Sequence, residues 1–260
     1  MRSLIAIVAL TCFATFTIRR TAHAALTDGL VLYMTFGGAG GSAIDSSPEG
    51  NDGAILDAAV RAPGQEGFGS AISLDGTKSS VRIPHSDSLS ITQAITVMAW
   101  TFMDDAAQAG DERIIVSKGG WGANDLPYEL TETAGGIIYW QFHDDNGHDG
   151  CAPPSPPTGE WHHLAGTYDG DSMLGYIDGE QACEEVYAGE LPANLTDVVI
   201  GERANGGRYF HGMLDEVAIF NRALTEDEVA EAMGGLARDV GAEGRLTTAW
   251  GALKASGIRR

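Results

Sequence analysis

Between Trp161 and Tyr168 the side chains alternate in character. Trp161, His163, Ala165 and Thr167 fall on one side of an extended chain, and His162, Leu164, Gly166 and Tyr168 on the other. That is the period of two expected of a β-strand. Asp169, Gly170 and Asp171 follow, residues that accept the backbone of a tight turn. Residues 174–177 then return as a second strand ending at Asp178-Gly179, another turn signal. Comparable short runs occupy residues 30–36, 71–74, 80–83, 113–117, 128–131, 136–142, 197–201 and 213–220. In the run 95–102 both sides are apolar or aromatic, with Ile95, Val97 and Ala99 on one and Met98, Trp100 and Phe102 on the other. Such a strand is covered on both faces and belongs in the middle of a sheet.

Residues 143–159, HDDNGHDGCAPPSPPTG, form the longest polar stretch. Pro153, Pro154, Pro156 and Pro157 cannot donate to a ladder, so the stretch is predicted as a loop. Residues 225–233 are the best helix. Thr225 caps it, Glu226, Asp227 and Glu228 sit where the helix dipole favours negative charge, Glu228 closes a capping box, and Gly234-Gly235 ends it. Thirty-five glycines and nine prolines in 260 residues suit many short strands joined by tight turns. The pattern predicts one large β-sandwich rather than alternating α/β units.

The order of these pieces carries a family likeness. Residues 161–170 read W-H-H-x-A-G-T-Y-D-G and residues 176–179 read Y-x-D-G. Before them come Leu32-Tyr33 with Phe36, Asp45-Ser46-Ser47, Gly50-Asn51-Asp52-Gly53, Leu74-Asp75-Gly76 and residues 95–100. After them comes FHGMLDEVAIFN at 210–221, followed by Arg222-Ala223-Leu224-Thr225. Over about residues 28–235 the chain resembles the laminin-G-like jelly-roll domains of the concanavalin A-like lectin/glucanase superfamily. The resemblance implies an all-β, antiparallel two-sheet jelly-roll sandwich with one short C-terminal helix, its last strand beside its first. It implies no chemistry by itself.

Residues 1–24 read as a secretory signal peptide: Arg2, an apolar run over 4–18, then Ala22-His23-Ala24 as a small-x-small cleavage site. The run is short for a membrane span, and Arg19-Arg20 follow it. The pair also leaves an uncleaved anchor as the alternative. The expected organisation is signal 1–24, jelly-roll domain 25–235 and a tail 236–260. The product is then secreted, periplasmic or on the cell surface, with no membrane segment after cleavage. Without residues 1–24 the remaining cysteines are Cys151 and Cys183, and an oxidising compartment predicts a disulfide between them.

A formal charge of −20, from 16 basic and 36 acidic residues, excludes nucleic acid as a partner, since no basic stripe is present to meet phosphates. The acidity fits solubility or cation binding. The carboxylate pair of a retaining glycosidase, spaced Glu-x-Asp-x-Glu on one strand face, does not occur. Glu226, Asp227 and Glu228 are contiguous on a helix and diverge. Adjacent His162 and His163 point to opposite faces and cannot jointly hold one ion.

Trp121, set among glycines beside Asn124 and Asp125, suits either stacking on a sugar ring or packing over the sheet edge. His143, Asp145, Asn146 and His148 in the polar stretch are further ligand-binding candidates, because binding residues concentrate on loops held by rigid sheets. This stretch and the Trp121 loop are expected on one rim. Asn194-Leu195-Thr196 is a glycosylation acceptor in a host that glycosylates.

Calcium is the expected structural cofactor. Asp45 and Asn51 offer oxygens from one loop, and Asp215, two positions from both Met213 and Val217, is expected on their buried face. A carboxylate there needs a partner, basic residues are few, and the resemblance to calcium-containing jelly-rolls points to an ion. The alternative is that Asp215 bonds only backbone amides. The sequence thus predicts a calcium-stabilised, non-catalytic recognition module for carbohydrate or a surface glycoconjugate. The alternatives are a structural or adhesion domain that binds protein, and a glycan-active hydrolase or lyase.

Overall fold

The computed structural model describes residues 26–104, 112–122, 125–133, 136–144 and 147–236, with His148 and Asp149 described by their backbone alone. The signal and the tail beyond 236 lie outside these residues, as do Asn124, Asp145 and Asn146.

The chain begins with β1 (Leu30–Met34), β2 (Ser42–Ala43), β3 (Gly53–Leu56), β4 (Val60–Pro63), β5 (Ser70–Asp75) and β6 (Ser80–Ile83). Next come β7 (Ile95–Met103), β8 (Arg113–Lys118), β9 (Leu126–Thr133), β10 (Ile137–Asp144) and β11 (Gly147–Cys151). The last strands are β12 (Trp161–Tyr168), β13 (Ser172–Ile177), β14 (Glu180–Val186), β15 (Val198–Ile200) and β16 (His211–Phe220), and the helix α1 (Glu226–Ala232) follows. One sheet runs β14-β13-β12-β7-β16-β5-β4, with β1 also paired to β16. The other runs β11-β10-β9-β8-β15-β6-β3-β2. All pairings between strands are antiparallel. The jelly-roll sandwich and the pairing of last strand with first are as the sequence predicts.

Between the sheets lies a core to which Val97, Ala99, Leu164 and Ile219 contribute from the first sheet, and Val81, Val116, Leu130 and Trp140 from the second. The glycine of the W-H-H-x-A-G run has a packing reason. A Cβ on Gly166 would collide with the Trp140 ring, whose Nε1 donates to the Thr167 carbonyl at 3.0 Å. Only a residue without a side chain lets that indole lie flat on β12. On the outer face of the first sheet, Met98, Ala165, Tyr176, Ala218 and Phe220 pack with Val229, Ala232 and Leu236 of the helical segment. The apolar second face of β7 is explained by this layer. Thr225 Oγ1 accepts from the Glu228 amide while the Glu228 carboxylate accepts from the Thr225 amide, so the capping box forms.

The polar stretch 143–159 departs from the prediction. Residues 147–151 form β11, a hairpin partner to β10 in which Trp140 faces Cys151 and Asp144 faces Gly147. Past Cys151 the ladder gives way to an isolated bridge between Ile137 and Pro154, with the Pro153 carbonyl accepting from the Ile138 amide at 2.9 Å. The Cys151–Cys183 disulfide, with Cα atoms 5.8 Å apart, joins β11 to β14, which are edge strands of opposite sheets. It closes one open side of the sandwich.

Candidate functional site

The Trp121 rim is built at the end of the second sheet. Strand β8 ends at Lys118, and the chain turns through 119–125 before β9 begins at Leu126. The Gly120 amide donates to the Asp125 carbonyl at 2.9 Å, closing the turn. The Asn194 side-chain amide also donates to the Asp125 carbonyl at 3.0 Å, while its oxygen accepts from the Thr196 amide and hydroxyl at 3.2 and 2.7 Å. Those bonds commit Asn194 to holding two loops together. Gly119 is required where it stands, with φ +98° and a Cβ position that would collide with the Asp125 carbonyl, and at Gly120 the Asn205 amide and the Asp125 carboxylate close in.

Trp121 is 51 % exposed. It is nonetheless fixed. Its ring lies 4.1 Å from that of His143, the interplanar angle being 57°, and the Arg203 guanidinium carbon stands 5.0 Å from the ring centre. Arg203 is in turn locked from behind. Its Nε donates to Glu129 Oε2 at 3.0 Å, and its Nη2 donates to Glu129 Oε1 at 2.8 Å and to Glu112 Oε2 at 2.6 Å. Gln141 Nε2 donates to the same Glu129 Oε1 at 2.7 Å. Burial works against the guanidinium charge, but the Glu129 and Glu112 carboxylates more than offset it and raise Arg203 above its usual range. Ser117, Glu129, Gln141 and Gly150 are successive cross-strand partners, so they form one row on the outer face of the second sheet.

The structure thus brings Trp121 and His143 together and adds Arg203, Glu129, Gln141 and Asn205, none of which the sequence singled out. Glu129 was legible in part, since it alternates with core residues Tyr128 and Leu130 and must face outward. Its pairing with a residue 74 positions away has no local signal. His162 and His163 are used separately. His162 Nδ1 lies 2.8 Å from Asp178 Oδ2, while the His163 ring packs edge-on to Trp100 at 5.5 Å.

The residues predicted to hold calcium do not form one cage. Asp45 Oδ1 accepts from the Tyr33 and Ser47 amides, both at 2.8 Å, and Oδ2 accepts from the Ser47 hydroxyl and the Asn51 amide, both at 2.7 Å. All four acceptor positions of that carboxylate are filled. The Asn51 side chain is likewise engaged, donating to the Val31 carbonyl and Ser88 and accepting from Ser86. Asp45 and Asn51 therefore do not fit calcium; they pin the 45–53 loop to β1.

Asp215 takes no part in that network. It also lies on a different face from the one expected. Glu216 adopts a left-handed backbone, φ 49°, and the β16–β7 register shifts between Asp215 and Ala218. This bulge puts Val217 in the core between the sheets and Asp215 opposite Trp100, on the outer face. There Asp215 is fully buried. Oδ1 accepts from the Glu216 amide at 2.8 Å, whereas Oδ2 meets no donor in good hydrogen-bond geometry, although the Gln65 amide is close enough to favour the charged form. A Cβ at Gly64 would overlap that oxygen. Burial, with the Glu216 charge beside it, pushes the carboxyl up to about 7. A buried oxygen without a well-aligned donor, in a space kept open by a glycine, fits the role of one hard anionic ligand. Among the described residues no group of three or more His, Cys, Asp or Glu side chains could complete such a site, so further oxygens would have to come from the backbone.

The binding domain of Paraclostridial Mosquitocidal Protein 1 superposes with a TM-score of 0.63 at 18% identity, over 80% of this chain and 52% of that one. The ligand binding domain of botulinum neurotoxin serotype D, in complex with N-acetylneuraminic acid, gives 0.66 at 16% identity, over 82% and 52%. Domain 4 of the extracellular arabinanase AbnA from Geobacillus stearothermophilus, in complex with arabinotriose, gives 0.60 at 19% identity, over 78% and 97%. The chain spans about half the length of the toxin domains it matches, and at these identities the likeness is one of fold. No curated protein matches the chain. A family model does, over residues 75–230, and by it the chain belongs to the Laminin_G_3 family of the concanavalin A-like lectin/glucanases superfamily.

Proposed function

We propose that the chain is an exported, non-catalytic recognition module that binds carbohydrate at the Trp121 rim. The observation that carries this reading is a half-exposed indole braced by contacts with an imidazole and a guanidinium, with the Asn205 amide and the Asp125 carboxylate beside its loop. An immobilised aromatic face stacks on the apolar face of a sugar ring without loss of side-chain freedom, and flanking polar groups orient the hydroxyls. The sugar complexes of two structural neighbours, with N-acetylneuraminic acid and with arabinotriose, support the substrate class. Export is supported by the signal-like residues 1–24 and by the disulfide. No helix among the described residues is long and apolar enough to cross a membrane.

Glu129, the buried carboxylate behind the rim, is held by Arg203 and Gln141, and a carboxylate so engaged is not free to act as acid or nucleophile. Screening the full chain on a glycan array, with and without calcium, tests the reading. Trp121→Ala is expected to weaken the best glycan roughly 5- to 150-fold, the equivalent of about 1 to 3 kcal/mol. Unchanged affinity removes Trp121 from the site. Turnover of a polysaccharide that is lost in a Glu or Asp variant overturns the non-catalytic assignment. A second reading, protein recognition, draws on the neurotoxin binding domain solved with synaptotagmin II and on Leu195, 81% exposed next to Asn194. Binding to a protein ligand that survives both Trp121→Ala and glycan competition would favour it.

A further inference from the structure

A carboxylate-bearing sugar is normally captured by a free guanidinium fork or an accessible ammonium. Arg203 stands 5.0 Å from the centre of the indole, but it is buried and turned onto carboxylates. Nε and Nη2 are bonded to both oxygens of Glu129, Nη2 also reaches Glu112, and the residue is only 4% exposed, which withdraws the guanidinium from a ligand at the surface. The other cations of this face are matched as well. Arg208 Nε stands 3.8 Å from Glu112, and Arg82 lies 3.5 Å from Asp197 and 3.7 Å from Glu202. Lys118 is fully buried beneath the turn, with its ammonium against His85 and the Thr196 carbonyl. Asp125, directly beside the Trp121 turn, meets the Asn194 amide at 3.4 Å and no cation among the described residues. The rim is therefore net negative where a ligand would stack, on a chain whose formal charge is −20.

We infer that the rim selects neutral glycans and rejects sialylated and uronic acid-containing ones. The inference rests on the glycan-binding reading above and deepens it. A sugar carboxylate within one screening length of Asp125 meets repulsion, while the Glu112 and Glu129 charges hold the nearby guanidiniums and leave none turned towards it. Neutral hydroxyls instead find amide and carboxylate acceptors and donors in Asn205 and Asp125.

The test is titration calorimetry of the full chain at low ionic strength with matched probes: lactose beside sialyllactose, and xylotriose beside its glucuronosylated form. The acidic member of a bound pair is expected to be at least about fivefold weaker, with the gap narrowing as salt is raised to about 1 M. Glu112→Gln, which frees one guanidinium N–H and removes a charge, is expected to shift the ratio toward the acidic sugar. Equal or tighter binding of the acidic member in wild type overturns this inference and leaves the rim as a glycan site. A gap that does not respond to salt also overturns it, since shape and not charge would then discriminate. Binding of no probe in either class, with Trp121→Ala indistinguishable from wild type on the array, overturns both readings.

Discussion

His163 illustrates how a residue with an active-site appearance can be part of the scaffold. It sits on the outer face of β12, fully buried against Trp100, and its backbone amide donates to Asp178 Oδ1 at 2.9 Å. Burial pulls the imidazole down to about 4, and the Asp178 charge opposes this only in part. The folded state therefore resists protonation that the unfolded chain accepts near pH 6.5. The unfolded state binds more protons between these values, so stability is intact above about pH 6.5 and is lost as the pH falls through about 4. The loss from this one group is on the order of 3 kcal/mol. Urea midpoints measured from pH 7 to pH 4 should drop for wild type and drop markedly less for His163→Phe, which keeps a ring against Trp100. Parallel profiles for the two proteins would assign the acid sensitivity elsewhere.

At the scale of elements, the sandwich has two exposed edges on one side, β11 and β14, and the disulfide is the only covalent link across them among the described residues. Its 32-residue separation corresponds to about 3 to 4 kcal/mol of loop-closure entropy removed from the unfolded chain. Cys151→Ala with Cys183→Ala should lower the unfolding free energy by about that amount in a chemical denaturation experiment. Loss of less than about 1 kcal/mol would mean that the edges hold without the bridge. The cysteine pairing was readable from compartment and count. The strand that carries Cys151 was not, because Gly147, Gly150 and the polar His148 and Asp149 make a poor strand sequence. It is a strand because β10 offers it a ladder, and its hairpin turn leaves Asp144 opposite Gly147.

For the molecule as a whole, the open question of charge is Asp215, at the junction of β16, β7 and the segment at Gly64. We propose calcium as its partner, with Asp45 and Asn51 excluded from the ligand set because their oxygens are already bonded. Calcium held by Asp215 would stabilise the fold by mass action, about 2.7 kcal/mol at a hundred times the dissociation constant. The melting temperature of wild type should then be higher in millimolar calcium than in chelator, and that of Asp215→Asn should not respond. Identical melting of wild type in both media would leave Asp215 without a metal.

The sequence by itself determined the architecture. Period-two alternation, Gly and Asp turns and the capping box at Thr225 are local consequences of backbone geometry, and they survive intact in the sandwich. It also put Trp121 and His143 forward as candidates from their composition and loop setting. Tertiary structure alone decided which groups meet. The bulge at Glu216 moved Asp215 to the opposite face from Val217, a one-residue slip that no period-two reading anticipates. Arg203 came beneath Trp121 from 82 positions away in the chain, locked by a glutamate on a third segment. Such contacts depend on strand register and sheet order, which are fixed by the summed packing of the core and leave no mark at the residues they join.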